Sequence, residues 1–160
     1  MNKLDVARPP QATADLWEQW LGIWNGHYDN ASQIVADDVT LHLPRYGMPD
    51  PASIPDRARL IAWIDAFRSS YTDVSFRTVL GPFTDDGHLI GRWRFTGHWR
   101  SGRPEGTTAA PGTPVEQHGV DILRLDAAGR IAEYWLSDDL LDVYVQLGAP
   151  LPALRTAPAE

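Results

Sequence analysis

Four runs in the second half of the chain alternate apolar and polar residues with a period of two, and this pattern constrains the fold most. The runs are Val74–Leu80, Leu89–Trp99, Val115–Leu125 and Ile131–Ser137. They are separated by Asp85–Gly87, by a segment rich in Gly, Pro and Thr, and by Asp126–Gly129. Alternation of this kind is typical of strands with one buried face, and hairpin-like connections join antiparallel neighbours. The pattern therefore predicts a curved antiparallel sheet.

Helical spacing of apolar residues dominates the first half of the chain. The predicted helices are 14–28, with Thr13 as N-cap, then 31–35, 55–70 and a closing turn or two at 140–147. Between them, 39–43 alternates as a strand that ends at Pro44, and 45–54 is rich in turn-forming residues. Helices first and a long meander last predict an α+β domain with its helices on the concave side of one sheet.

The length of 160 residues is that of one compact domain. We expect it to span 13–148, with a flexible N-terminus over 1–12 and a flexible Pro/Ala-rich tail over 149–160. No apolar stretch has the length of a signal peptide or a membrane span. These features predict a soluble cytoplasmic protein.

Composition excludes several function classes. There is no cysteine, so thiol nucleophiles, thiolate metal sites and disulfides are excluded. The net charge of −7 and the lack of a basic run argue against nucleic acid or an anionic membrane as partner. The five histidines have no metal-like spacing, and no phosphate-binding glycine loop or serine nucleophile elbow is present. We expect no metal and no cofactor.

Several short motifs support a more specific comparison. They are Gly91–Gly97, Pro111–Val115, Gly119–Arg124, Gly129–Trp135, Gln146–Gly148, Trp24–Gly26 and Asp37–Val39. In these motifs the chain resembles the SnoaL-like polyketide cyclases, part of the nuclear-transport-factor-2-like superfamily with limonene epoxide hydrolases, ketosteroid isomerases and scytalone dehydratase. The resemblance covers nearly the whole chain. It implies a cone-shaped, curved antiparallel sheet wrapped around N-terminal helices, an α+β barrel.

Strand parity places the pocket residues once one strand is oriented. If Trp135 points inward, as the resemblance implies, the inward set is Thr40, His42, Arg92, Arg94, Thr96, His98, Val115, Gln117, Gly119, Asp121, Leu123, Glu133 and Ser137. Burying so many charges apart is costly, so they must pair or line a wet site. The alternatives are cross-strand ion pairs, Arg94 with Asp121 and Arg92 with Glu133, or reversed faces.

The chain departs from the patterns of its relatives. SnoaL-like cyclases carry an acid/base aspartate directly after the tryptophan of a Glu-x-Trp-Asp motif, and that position here is Leu136. Limonene epoxide hydrolases use an Asp-Arg-Asp arrangement, and the matching positions are Arg92, Arg94 and Ser137. The usual base is therefore absent in both comparisons.

Two function classes remain open. The first is a cofactor-free cyclase, isomerase or lyase that acts by proton transfer on a hydrophobic, oxygenated metabolite of polyketide or terpenoid type. Asp121 is its predicted base, with His42 or His98 as the second proton carrier and Arg94 or Arg92 at a developing oxyanion. Asp138 is the fallback, brought inward by a one-residue bulge after Trp135.

The second class is a protein that binds or shapes a small molecule without catalysis, and an epoxide hydrolase-like enzyme is a further alternative. The predicted ligand-binding residues are Trp24, His27, Tyr28, Trp63, Phe67, Arg92, Gln117, Trp135 and Ser137. A homodimer is also predicted, because Trp93, Phe95 and Trp99 would form an apolar patch on the outer face of the sheet.

Overall fold

The computed structural model describes residues 11–151, which contain four α-helices, one 3₁₀-helix and five strands. The helices are α1 (Gln11–Trp24), α2 (Ala31–Ile34), α3 (Arg57–Ser69) and α4 (Leu140–Gln146), with the 3₁₀-helix at Pro51–Ser53. The strands are β1 (Val35–His42), β2 (Tyr71–Asp85), β3 (His88–Trp99), β4 (Pro114–Leu125) and β5 (Ile131–Asp138). Flexible ends are predicted over 1–12 and 149–160, and of these 1–10 and 152–160 lie outside the described residues. Residues 11 and 12 belong to α1, and Ala149 is buried, with its N–H donating to the Tyr144 carbonyl (2.9 Å).

The five strands form one open, curved sheet in the order β1-β5-β4-β3-β2. Strands β2 to β5 are an antiparallel meander, as the alternation predicts. The turn between β2 and β3 is Asp86-Gly87, and both residues have positive φ (41° and 74°), which suits a two-residue hairpin. The difference from the prediction is β1, which pairs in parallel with β5 at the edge. The sheet is mixed, and the predicted α+β fold is confirmed.

Helix α1 supplies the largest part of the core that faces the sheet. Trp17, Trp20 and Ile23 are fully buried. The helix ends at Trp24 rather than at residue 28, because Gly26 has a φ of 95° and Asn25 bonds to β2. The Asn25 side chain donates to the Phe76 carbonyl (3.0 Å) and accepts from the Phe76 N–H (2.7 Å). This pair of hydrogen bonds fixes the end of α1 against the sheet.

The predicted strand faces are correct for β4 and wrong for β1, β3 and β5. On β4, the inner residues include Gln117, Gly119 and Asp121, as expected. The residues that were expected inside but lie on the outer face are Thr40, His42, Arg92, Arg94, Thr96, His98, Glu133, Trp135 and Ser137. Their neighbours Leu41, Trp93, Phe95, Trp99, Tyr134 and Leu136 are buried instead.

The register between β3 and β4 explains the reversal. Trp93 lies opposite Gly119, and Phe95 lies opposite Gln117. Residues directly opposite in an antiparallel pair share a face, so an inward β4 set requires inward aromatics on β3. Their burial removes apolar area from water. The arginines stay in solvent, because burying a charge without a partner costs free energy. The prediction of an aromatic patch on the outer face is therefore wrong. The homodimer stays a prediction, without the support of that patch.

Gly119 makes room for Trp93, and this gives a test of the packing. A Cβ at Gly119 would overlap the Trp93 indole ring, which is rigid and buried. We expect Gly119→Ala to lower the free energy of unfolding by about 1 to 3 kcal/mol. Gly22→Ala is the control, because a Cβ there meets nothing nearer than 3.8 Å and alanine favours a helix. Urea denaturation measures both, and equal destabilisation by the two variants would contradict this packing.

Candidate functional site

A cavity of about 580 Å³ lies between the inner face of the sheet, the helices and two loops. Its lining comes from Trp24, Gly47, Met48, Pro49, Trp63, Ala66, Phe67, Ser70, Tyr71, Phe76, Trp93, Gly102, Arg103, Pro104, Gln117, Leu136, Asp138, Leu140, Val143 and Tyr144. Gly47, Gly102 and Arg103 are exposed, which puts the mouth at these two loops. The volume suits a small organic molecule.

Aromatic rings form most of the deep wall. Trp24 makes edge contacts with Trp63 (5.5 Å between ring centroids) and Phe67 (5.9 Å), and a tilted contact with Phe76 (5.2 Å). The indole N–H of Trp24 is buried and has no acceptor among the described residues. A buried donor of this kind is costly unless something accepts from it. The wall therefore combines flat apolar surfaces with a buried hydrogen-bond donor that no described residue uses.

Asp138 is the carboxyl group in the cavity wall. Its Oδ2 accepts a hydrogen bond from Gln117 Nε2 (2.8 Å), while its Oδ1 is buried without a partner among residues 11–151. Burial raises the pKa of Asp138 to about 6, with a smaller increase from Asp139 and an opposing effect from the Gln117 hydrogen bond. One oxygen is thus held, and the other is buried and unpaired within these residues. A raised pKa and an unpaired oxygen are properties of a general base.

Plain alternation brings Asp138 inward. The register from Glu133 to Asp138 is continuous against β4, so the predicted one-residue bulge after Trp135 is absent. Leu136 is buried and lines the cavity, and Asp138 follows two residues later on the same face. Asp138 is therefore the next inward-facing residue after Leu136 on β5.

Asp121 lies on the inner face of β4 but does not line the cavity. It is 1% exposed, and its carboxyl accepts from Trp20 Nε1 (2.7 Å) and Tyr134 OH (3.1 Å). The Trp93 N–H is also close, outside ordinary hydrogen-bond geometry. The pKa of Asp121 is raised to about 7. Burial is the main cause, these donors oppose it, and the charge of Asp138 adds a small increase. Asp121 ties α1 to β5 within the core.

The predicted second proton carriers and oxyanion residues are engaged outside the cavity. His42 stacks on Trp135 (4.5 Å), and its Nε2 lies 3.1 Å from Glu133. His98 Nδ1 lies 3.1 Å from Asp73.

The arginines also pair outside. Arg94 pairs with Glu116, and Arg92 lies 3.8 Å from Asp139. The predicted pairs of Arg94 with Asp121 and of Arg92 with Glu133 are wrong, and Glu133 pairs with Arg124 at 2.5 Å instead. All these groups lie on the outer face of the sheet, so they do not face a ligand in the cavity.

The predicted ligand-binding residues divide in the same way. Trp24, Trp63, Phe67 and Gln117 line the cavity. His27, Tyr28, Arg92, Trp135 and Ser137 do not. Helix α1 ends before His27, which is exposed, and the Tyr28 hydroxyl donates to Asp65 (3.1 Å).

Sequence reasoning missed the cavity residues on β2, β3, α4 and the two loops. These are chiefly Tyr71, Phe76, Trp93, Met48, Arg103, Val143 and Tyr144. The signal that could have found Trp93 is apolar alternation on β3 itself, which favours the odd-numbered residues inside. The loop residues carry no such periodic signal.

No group of three or more His, Asp or Glu side chains within residues 11–151 converges as a metal site would require. Over the same residues, no helix has both the length and the apolar character needed to span a membrane.

Comparisons with known proteins agree with this architecture. No curated protein matches the chain. A candidate polyketide cyclase from Acidithiobacillus ferrooxidans is 21% identical, with a TM-score of 0.71 over 88% of this chain and 96% of its own. TsrD from Streptomyces laurentii is 19% identical, with a TM-score of 0.68 over 88% and 98%. A protein with a ketosteroid isomerase-like fold from Catenulispora acidiphila is 18% identical, with a TM-score of 0.64 over 90% and 96%.

At these identities the solved structures establish the fold alone. The model of the SnoaL-like domain matches residues 17–134, which is more than half of the chain and includes the second half of α1 and most of the sheet. This match confirms the resemblance stated from the sequence motifs. On this match and this fold, the chain belongs to the SnoaL-like domain family.

Proposed function

We propose that the protein is a cofactor-free cyclase, isomerase or lyase that moves protons within a hydrophobic, oxygenated small molecule of secondary metabolism. The observation that carries this proposal is Asp138, a half-held carboxyl in an otherwise mostly apolar cavity. Names of structural relatives, among them candidate polyketide cyclases, support a ring-forming or ring-rearranging reaction.

Asp138 has the properties of a base for carbon acids. With a pKa of about 6 it is ionised at neutral pH, yet it is a stronger base than an ordinary aspartate. Its Oδ1 takes a proton from a carbon next to a carbonyl group, and the electrons of the C–H bond form an enolate. The same carboxyl then returns the proton to another atom of the ligand.

The enolate oxygen needs a hydrogen-bond donor, and Trp24 offers one. Its indole N–H is buried in the cavity wall with no acceptor within residues 11–151. A donor positioned before reaction stabilises the charge that develops in the transition state. Trp24 thus takes the role that the sequence assigned to Arg94 or Arg92.

A binding or substrate-shaping protein is the second candidate, favoured by Leu136 at the position of the usual aspartate. The cavity gives no support to the epoxide hydrolase-like alternative, because Arg92, Arg94 and Ser137 do not line it. A cytoplasmic location, a homodimer, the absence of cofactors and of nucleic-acid or membrane partners remain proposals.

Proton exchange tests the proposed function without knowledge of the natural substrate. The probe is 2-tetralone, a bicyclic ketone with acidic protons beside its carbonyl group, in D₂O. We expect the protein to accelerate deuterium incorporation, with a rate that rises with pH through an apparent pKa of about 6 as Asp138 ionises. Mass spectrometry follows the exchange. Binding of 2-tetralone with exchange no faster than in buffer would favour the binding protein.

A further inference from the structure

Two opposite charges line the cavity without being paired. They are Asp138 and Arg103, and they form no ion pair with each other. Within residues 11–151, Arg103 makes neither an ion pair nor a hydrogen bond with another residue, although its charge acts on the nearby Tyr144 phenol. The arginines of the outer face differ in this respect, since Arg94 and Arg124 both pair with carboxylates. Arg103 is thus a cation at the mouth of an apolar site, and no residue among 11–151 uses its hydrogen-bonding capacity.

A second, smaller cavity of about 320 Å³ opens beside Arg103. We call it the polar recess, and its lining is Tyr46, Arg103, Pro104, Glu105, Tyr144 and Pro150. Arg103, Pro104 and Tyr144 line both spaces, so the polar recess continues the main cavity outward. The rings of Tyr46 and Tyr144 contact each other (5.4 Å), which places two phenol groups beside the guanidinium. The site therefore has an apolar inner part and a polar outer part.

From this division we infer that the ligand is a hydrophobic carboxylic acid, with its ring system in the main cavity and its carboxylate on Arg103 where the main cavity meets the polar recess. A guanidinium binds a carboxylate through two parallel N–H donors, and the tyrosine hydroxyls can donate to the same group. Glu105 also lines the polar recess and repels an anion, but it does not line the main cavity. The carboxylate is therefore directed to the side of Arg103 that faces the cavity.

Charge also orients the ligand. Ionised Asp138 in the main cavity repels a second carboxylate, whereas Arg103 at the mouth attracts it. The neutral, ring-bearing end is then directed inward to the aromatic wall and to Asp138 Oδ1. Orientation at Asp138 rests on the proposed function, but binding of the carboxylate by Arg103 does not.

Calorimetric titration with two probes of nearly equal shape tests the inference. The probes are 2-naphthoate, an anion at pH 7.5, and 2-naphthamide, which is neutral. We expect the protein to bind the anion about tenfold more tightly, because Arg103 makes a charge-assisted pair only with it. Arg103→Gln should remove this preference by weakening 2-naphthoate about tenfold while 2-naphthamide changes by less than about twofold. Arg103→Lys should retain part of it, since the charge stays and the planar fork is lost.

Arg59→Gln is the matched control. Arg59 is exposed on α3, lies outside both cavities and has the same charge. Its loss should leave both affinities unchanged, whereas an equal loss of 2-naphthoate binding would mean that only the total charge matters. Equal affinity of the wild type for the two probes, or failure to bind either, would overturn the inference. Proton exchange by the wild type with neutral 2-tetralone needs no carboxylate on the probe. Equal affinities for 2-naphthoate and 2-naphthamide together with that exchange would therefore overturn this inference and leave the proposed function standing.

Discussion

Replacement of Asp138 by Asn is expected to lower the rate of proton exchange by about 10²- to 10⁴-fold, the usual contribution of a positioned base. Asparagine has nearly the same shape and its side-chain oxygen can still accept from Gln117, so the cavity is preserved. Only proton abstraction is lost, and the affinity for 2-tetralone should change by less than about threefold. Initial rates of deuterium incorporation and a binding titration, both at pH 8, measure the two effects.

Asp139→Asn is the matched control for this prediction. It removes the same charge from the next residue, which is exposed and lies outside the cavity. Asp139 raises the pKa of Asp138, so its loss should move the ascending limb of the pH profile to lower pH without a large change of the plateau rate. Retention of more than about half of the rate by Asp138→Asn would exclude Asp138 as the base and favour the substrate-shaping protein.

Asp121 should make the protein less stable as the pH rises from about 4 to 7. Its pKa is about 7 in the folded protein and near 3.8 in the unfolded chain, so the folded state holds the proton over this interval and the unfolded state does not. The difference corresponds to about 4 kcal/mol of unfolding free energy, present below pH 4 and lost by about pH 7. Asp138 acts in the same direction, because its pKa is also raised.

Asp121→Asn isolates this effect. The amide can accept from Trp20 and donate to the Tyr134 oxygen, as the protonated acid does, but it cannot ionise. We expect the variant to be more stable than the wild type at pH 8, with a shallower decrease between pH 4 and 8 in urea denaturation. The half-buried, paired carboxylates Glu116, Asp126 and Glu133 have lowered pKa values, so their contribution is lost only at more acidic pH.

Asp121→Ala separates the charge from the hydrogen bonds. It leaves the buried Trp20 N–H and Tyr134 hydroxyl without their partner, and we expect it to be less stable than Asp121→Asn by about 2 to 4 kcal/mol at every pH, since neither variant ionises at this position. An Asn variant with the same pH dependence as the wild type would show that Asp121 is not the group that titrates.

Much of the fold could be predicted from local patterns. The strands β2 to β5 and the helices α2, α3 and α4 lie close to their predicted places, because alternation and helical spacing are properties of short segments. The parallel pairing of β1 with β5 could not be read in this way, since the two strands are far apart in the chain and no turn connects them. The end of α1 depended on Asn25 bonding to Phe76 of β2, which is also a distant contact.

Less of the candidate site than of the fold could be predicted from the sequence. Alternation states which residues of a strand share a face, but it does not state which face is buried. Trp135 of β5 was expected to point inward because the family resemblance implies it. The faces predicted for β1, β3 and β5 were reversed as a result. The cavity also needs Arg103 and Met48 from loops, whose positions depend on the elements that they contact.

The sequence by itself determined the α+β class, the family, the order of the elements and the set of acidic residues from which a base could come. Only the tertiary structure shows that Asp138, and not Asp121, lines the cavity. Both lie on inner strand faces, but Asp121 is enclosed by Trp20 and Tyr134, whereas Asp138 reaches the cavity beside Gln117. The physical reason is that the environment of a carboxyl, and with it its pKa and its access to a ligand, is set by side chains from distant segments that meet only when the strands take their register.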